Sequence, residues 1–83
     1  MSDIENRWAK IASDQLLGRT IKSVRYMTDE EATELDWYSR PVVMVLDNGH
    51  LIWPSSDDEG NDGGSFFTTD EANPVLPVIS RGD

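Results

Sequence analysis

The stretch PVVMVLDNGHLIWP, residues 41–54, has the composition of a complete β-hairpin. Asn48-Gly49 is the dipeptide that a two-residue type I′ turn favours, because both central residues take positive φ and these two tolerate it at little steric cost. That turn sets a register in which Asp47 faces His50, Leu46 faces Leu51, Val45 faces Ile52 and Met44 faces Trp53. One face then carries Val43, Val45 and Ile52; the other carries Val42, Met44, Leu46, Leu51 and Trp53. Both are apolar, whereas a hairpin with one wet side alternates apolar and polar residues. The ribbon is therefore expected to be covered twice. One face lines a sheet or barrel core, and the other lies under a helix or a second copy of the chain. His50, the only histidine, is expected beside the turn in a weak pair with Asp47.

The flanking segments supply the covers. Ser2 with Glu5 is a capping box, and Ile4, Trp8, Ile11 and Gln15 or Leu16 follow at helical spacing, so a helix is predicted over residues 3–16, ended by Gly18. Its apolar stripe packs on the sheet or serves as a docking face. RTIKSVRYM, residues 19–27, reads as a strand, with a β-bulge near Lys22 and Ser23 needed to bring Ile21, Val24 and Tyr26 to one side. Thr28 with Glu31 is a second capping box, predicting one or two helical turns that end before Trp37. SFFTT, residues 65–69, and residues 75–79 read as further strands, the last at an edge or a closing position because Pro74 and Pro77 cannot donate to a ladder.

Eighty-three residues make one domain, large enough to bury a core of its own. The absence of cysteine excludes disulfides, thiolate metal sites and cysteine nucleophiles, and a lone histidine disfavours zinc. No run of eighteen apolar residues and no secretory leader is present, so a cytoplasmic, non-membrane protein is expected. The net charge of −9 is uneven. Residues 1–27 hold five basic side chains against three acidic, and residues 28–83 hold two against thirteen. Such a surface repels phosphate backbones and disfavours direct nucleic-acid binding, while suiting a basic protein partner or mimicry of DNA toward a DNA-binding protein.

The chemistry-bearing stretch is SSDDEGNDGG, residues 55–64, an exposed loop. Asp57, Asp58, Glu59, Asn61 and Asp62 are hard oxygen donors suited to Ca²⁺ or Mg²⁺, and its glycines let a backbone curl round an ion. EF-hand spacing fails, since a loop starting at Asp57 has Asp62 where glycine is required and Thr68 where glutamate is required. A start at Asp58 places Gly63 correctly but puts Gly60 at a ligand position. Pairing of the loop with Arg19 or Arg25, or plain solvation, are the other readings. No serine has a plausible histidine base, and burial that would split the carboxylate pKa values is not expected in so polar a run, so the chain reads as no enzyme. The PxxP match at residues 74–77 belongs to a strand, and the terminal Arg-Gly-Asp is a chance match. Candidate interaction residues are the large aromatics Trp8, Trp37, Tyr38 and Trp53.

The run Gly18-Arg19-Thr20-Ile21, then Val24-Arg25-Tyr26-Met27-Thr28 with Glu30-Glu31, then Trp37-Tyr38, and above all Pro54 followed by DDEGNDGG at residues 57–64, resembles a group of small uncharacterised proteins of bacteria and their phages, including phages of cyanobacteria. The likeness spans residues 18–79 and leaves out the N-terminal helix. It implies a cytoplasmic setting and a compact β-rich fold, and carries no catalytic residue.

The sequence thus predicts an α+β domain over residues 1–83: a helix within 1–17, a β-rich core over 18–79 and a frayed tail at 80–83. The helix packs on a small bent antiparallel sheet, or a partly open barrel, of about five strands in chain order. The expected function is a small acidic interaction module that binds a protein partner or itself; the alternatives are a divalent-cation site in the acidic loop and an acidic nucleic-acid mimic.

Overall fold

The computed structural model describes residues 3–55, 63–79 and 81. The elements run α1 (Asp3–Leu16), β1 (Ile21–Tyr26), α2 (Asp29–Leu35), β2 (Val42–Leu46), β3 (Leu51–Pro54), β4 (Phe66–Thr68) and β5 (Val75–Leu76). The strands form one antiparallel sheet in the order β1-β2-β3-β4-β5. This is an α+β domain built on a meander. The sheet is open, with β1 and β5 as its two edges, so the barrel alternative is not realised.

The central hairpin forms with a different turn. Leu46 N–H donates to the His50 carbonyl at 2.9 Å and Gly49 N–H to the Leu46 carbonyl at 3.0 Å, so the loop is Asp47, Asn48 and Gly49. Only Gly49 of these takes a positive φ, at 87°. A tight turn followed by a left-handed glycine is the three-residue hairpin with a bulge. The extra loop residue slips the register by one, setting Met44 opposite Ile52 and Val45 opposite Leu51. Ile52 therefore shares a face with Met44 and Leu46, while Leu51 and Trp53 join Val43 and Val45. His50 does not pair with Asp47. Its Nδ1 lies 3.1 Å from Thr69 Oγ1 on the next hairpin, and the Asp47 carboxylate meets Arg19 at 3.3 Å.

Both faces of this ribbon are covered. On one, Met27, Ala32 and Val43 are buried together with Leu35, Trp37, Leu51 and Trp53 packed round them. On the other, Leu46, Ile52 and Leu76 are buried under Ile11, Ala12, Leu16 and Met44. The segment between β1 and β2, α2 included, provides the first cover, and α1 provides the second. Val43 is the most deeply buried side chain, 1% exposed.

The helix α1 docks by its C-terminal half. Ile11, Ala12 and Leu16 reach the sheet, Trp8 is half-buried and Ile4 is 53% exposed, so the predicted stripe is only partly used. The Gln15 side-chain amide donates to the Asn73 carbonyl at 3.0 Å and ties the helix to the β4–β5 connection. Gly18, at φ 77°, ends it as expected. Ser2, the expected cap, lies outside the described residues.

The β1 bulge falls at Lys22, between the Ile21–Leu46 and Ser23–Val45 partners. It brings Ile21, Val24 and Tyr26 opposite Leu46, Met44 and Val42, on the α1 side of the sheet. There they stay 52%, 60% and 68% exposed, because α1 lies toward β5 rather than over β1. β5 is shorter than the predicted 75–79 and takes the edge that its flanking prolines demand.

A methyl group at Gly49 would meet nothing within 4 Å, so the cost of substitution there is purely that of a left-handed backbone. Gly49→Ala is expected to lower stability by about 1 kcal/mol. Thermal denaturation should show this as a Tm drop of about 4–8 °C.

Candidate interaction groove

The groove is built by what happens to the chain after α2. That helix starts with the predicted capping box: Glu31 N–H donates to Thr28 Oγ1 at 3.1 Å and Thr28 N–H donates to Glu31 Oε1 at 2.9 Å. Arg25 closes on the same carboxylate with two bonds, Nη1 to Oε1 at 2.8 Å and Nη2 to Oε2 at 2.9 Å. The Arg25 guanidinium, helped by the Thr28 N–H, holds the Glu31 carboxyl well below its ordinary value of 4.5, at about 2. Glu31 in turn raises Arg25. A seven-residue helix with little to bury is thereby pinned to β1.

Helix α2 stops at Asp36, which adopts the left-handed conformation at φ 62° and lets the Asp36 and Trp37 amides cap the Thr33 and Ala32 carbonyls. The reversal delivers Trp37 to the core. Its ring lies 5.7 Å from that of Phe67, which meets Trp53 edge-on at 6.2 Å. With Trp37 held inward, the chain bends at Tyr38 and Ser39, and Tyr38 is completely exposed, at 105%. The chain then returns through Pro41 into β2.

An open groove of about 740 Å³ results at this end of the sheet, lined by Tyr26, Trp37, Tyr38, Pro41, Val42 and Pro54. Its floor is the ends of three neighbouring strands: Tyr26 opposes Val42 directly, and the Met44–Ile52 pairing carries the register on to Pro54. Asp36 and Arg40 are its charged members. Arg40 is engaged, with Nε 3.5 Å from Asp29 Oδ1 and Nη1 donating to the Met27 carbonyl at 3.4 Å. Asp36 has no ion pair among the described residues.

Of the four candidate aromatics, the structure brings Trp37 and Tyr38 together here. Trp53 belongs to the core with Phe67, and Trp8 lies on α1, where it lines a small open cavity with Leu76 and Pro77 under Arg7, whose Cζ is 5.7 Å from its ring centroid. The metal candidates Asp57, Asp58, Glu59, Asn61 and Asp62 lie outside the described residues. Among the described residues no three acidic, histidine or cysteine side chains are placed to share an ion. Among the described residues Arg19 pairs with Asp47 and Arg25 with Glu31; the expected pairing of either with the acidic loop falls on residues outside those described. Sequence reading missed Tyr26, Pro41, Val42 and Pro54 as groove residues, although the two prolines bracket the hairpin.

The fold and site define a small α+β domain whose sheet is sandwiched by short helices and carries an aromatic groove at one end. No helix among the described residues is long and apolar enough to cross a membrane. No family model, curated protein or solved structure matches the chain.

Because the Glu31 carboxyl is depressed in the folded state, its contribution is complete above pH 4.5 and is lost as pH falls toward about 2. Both partners are more than a third exposed, so solvent screening holds the effect of Glu31→Gln to about 0.5–1 kcal/mol at neutral pH. Urea denaturation of the two proteins across this range should show that difference shrinking to nothing at the acid end.

Proposed function

We propose that the protein is a non-enzymatic interaction module whose groove at Tyr26, Trp37 and Tyr38 binds a segment of a partner protein. The carrying observation is Tyr38: a fully exposed tyrosine contributes nothing to the core, yet it borders an apolar groove with a second exposed tyrosine beside it. Aromatic side chains with one apolar and one wet end are the usual anchors of protein contacts. The chain has no cysteine, and its one histidine is turned to Thr69, which favours a binding role over a catalytic one.

Self-association through β1 is the second reading. It draws on a free strand edge next to exposed Ile21, Val24 and Tyr26. Lys22 and its bulge lie on that strand, and both are devices that blunt edge-to-edge pairing. A charge of −9 on each copy adds repulsion. The partner reading is therefore favoured, and light scattering at high concentration should give a monomer of 9.3 kDa. A dimer would move the binding surface to β1.

Selection of random peptides on the protein, with counter-selection on Tyr38→Ala, tests the groove itself. Tyr38→Ala should change stability by less than about 0.5 kcal/mol and should lose the selected peptides. Clones that bind both proteins equally would remove the groove from the account.

A further inference from the structure

The groove's electrostatics say more about the partner than its aromatic lining does. Asp36 stands in the wall without an ion pair, and Glu30 and Glu34 on α2 likewise have none among the described residues. The single basic group of the lining, Arg40, is occupied by Asp29 and the Met27 carbonyl. Within the lining, Asp36 is therefore the charged group that has no ion pair among the described residues, and it shares the groove with Tyr26 and Tyr38. No cation lies over either ring among the described residues, the one such contact being Arg7 on Trp8. Carboxylate and open aromatic face together are the surroundings that attract a guanidinium or ammonium group, the ring through its quadrupole and the carboxylate through its charge.

The backbone adds a further element. The N–H groups of Tyr38, Ser39 and Arg40 make no backbone hydrogen bond among the described residues, although they border the groove. A chain in extended conformation offers carbonyls along its length that can accept from such donors, whereas a helix keeps its carbonyls to itself.

We infer, building on the module reading above, that the segment taken by this groove is an extended basic peptide, one of its arginine or lysine side chains lying between Tyr38 and Tyr26 with its charge toward Asp36. The apolar floor of Val42, Pro41 and Pro54 then receives the aliphatic part of that side chain, which long basic residues lay along apolar surface while the head remains at the polar rim. Asp36 is the specificity-determining residue and Tyr38 the anchor.

The test is an amide NMR titration of the whole chain with three ten-residue peptides of alternating proline and a second residue, which is arginine, glutamine or glutamate. The arginine peptide should move the amides of Tyr26, Trp37, Tyr38 and Val42, and its affinity should fall several-fold on raising salt. Tyr38→Ala and Asp36→Asn should each weaken it at least about fivefold, an effect of the size of one charged contact. Asparagine also tolerates the left-handed backbone, so the second variant retains the α2 cap. Glu71→Gln, an exposed acid on the β4–β5 connection, should leave binding unchanged.

If the glutamine or glutamate peptide occupies the groove as well as the arginine peptide does, the charge argument is overturned while the module reading stands. If Glu71→Gln weakens binding as much as Asp36→Asn, or the shifts spread over the acidic surface, the attraction is diffuse and the inference falls. If none of the three moves the groove amides, the basic-peptide inference falls as well, and the display selection against Tyr38→Ala decides separately whether the groove binds anything.

Discussion

A β-ribbon with no polar face cannot rest against water on either side, and the whole molecule follows from that requirement. Burying a valine, leucine or isoleucine is worth about 1.5–3 kcal/mol, against a total stability of roughly 5–15 kcal/mol for a domain. Exposing either side of β2–β3 would thus consume much of what holds the fold. The chain meets the demand with two unequal lids. One is α1, which contributes no fully buried residue and docks through Ile11, Ala12 and Leu16. The other is the connection from Met27 to Trp37, which contributes Met27 and Ala32 to the buried set and is clamped by the Arg25–Glu31 pair.

The second lid generates the groove. A seven-residue helix is too short to be stable alone, so besides the packing of Ala32 and Leu35 it is held by its ends. At its start Thr28, Glu31 and Arg25 form a closed set of hydrogen bonds, and at its end Asp36 turns the chain sharply enough to put Trp37 on Phe67. Trp37 is committed inward, and the chain then bends at Tyr38, whose side chain stands fully in solvent. The backbone that carries this surface aromatic is set by the same contacts that close the core, at the end of the sheet where Tyr26 and Val42 lie.

Much of this was legible in the residues. Gly18, the Thr28 and Glu31 box, the bulge near Lys22 and the edge position forced by Pro74 and Pro77 are all local rules acting over a few positions, and each appears where the rule places it. The hairpin turn was misread because Asn-Gly serves two geometries. The two-residue loop needs both residues left-handed, while the three-residue loop needs only the glycine. Asp47 tips the balance, since its N–H donates to the Thr20 carbonyl at 2.9 Å and its carboxylate reaches Arg19, contacts made by a neighbouring strand that no local rule anticipates. The groove was half legible for the same reason. Trp37 and Tyr38 announce themselves as adjacent aromatics, but Tyr26, Val42 and Pro54 become neighbours only through strand register.

The uneven reach of α1 explains why the exposed apolar surface lies where it does. The helix is tied to the β5 side through Gln15 and Asn73, so cover thins toward β1, leaving Ile21, Val24 and Tyr26 in the open. Along most of β1 that strip is guarded by Lys22, a bulge and half-exposed arginines already bound to acids. At its last residue Tyr26 enters the lining of the groove with Tyr38, Pro41 and Pro54, where Asp36 has no ion pair among the described residues. An apolar floor at that end of the sheet, bordered by a fully exposed tyrosine and by an acid with no ion pair among the described residues, is the physical reason for placing recognition in the groove rather than along the strand.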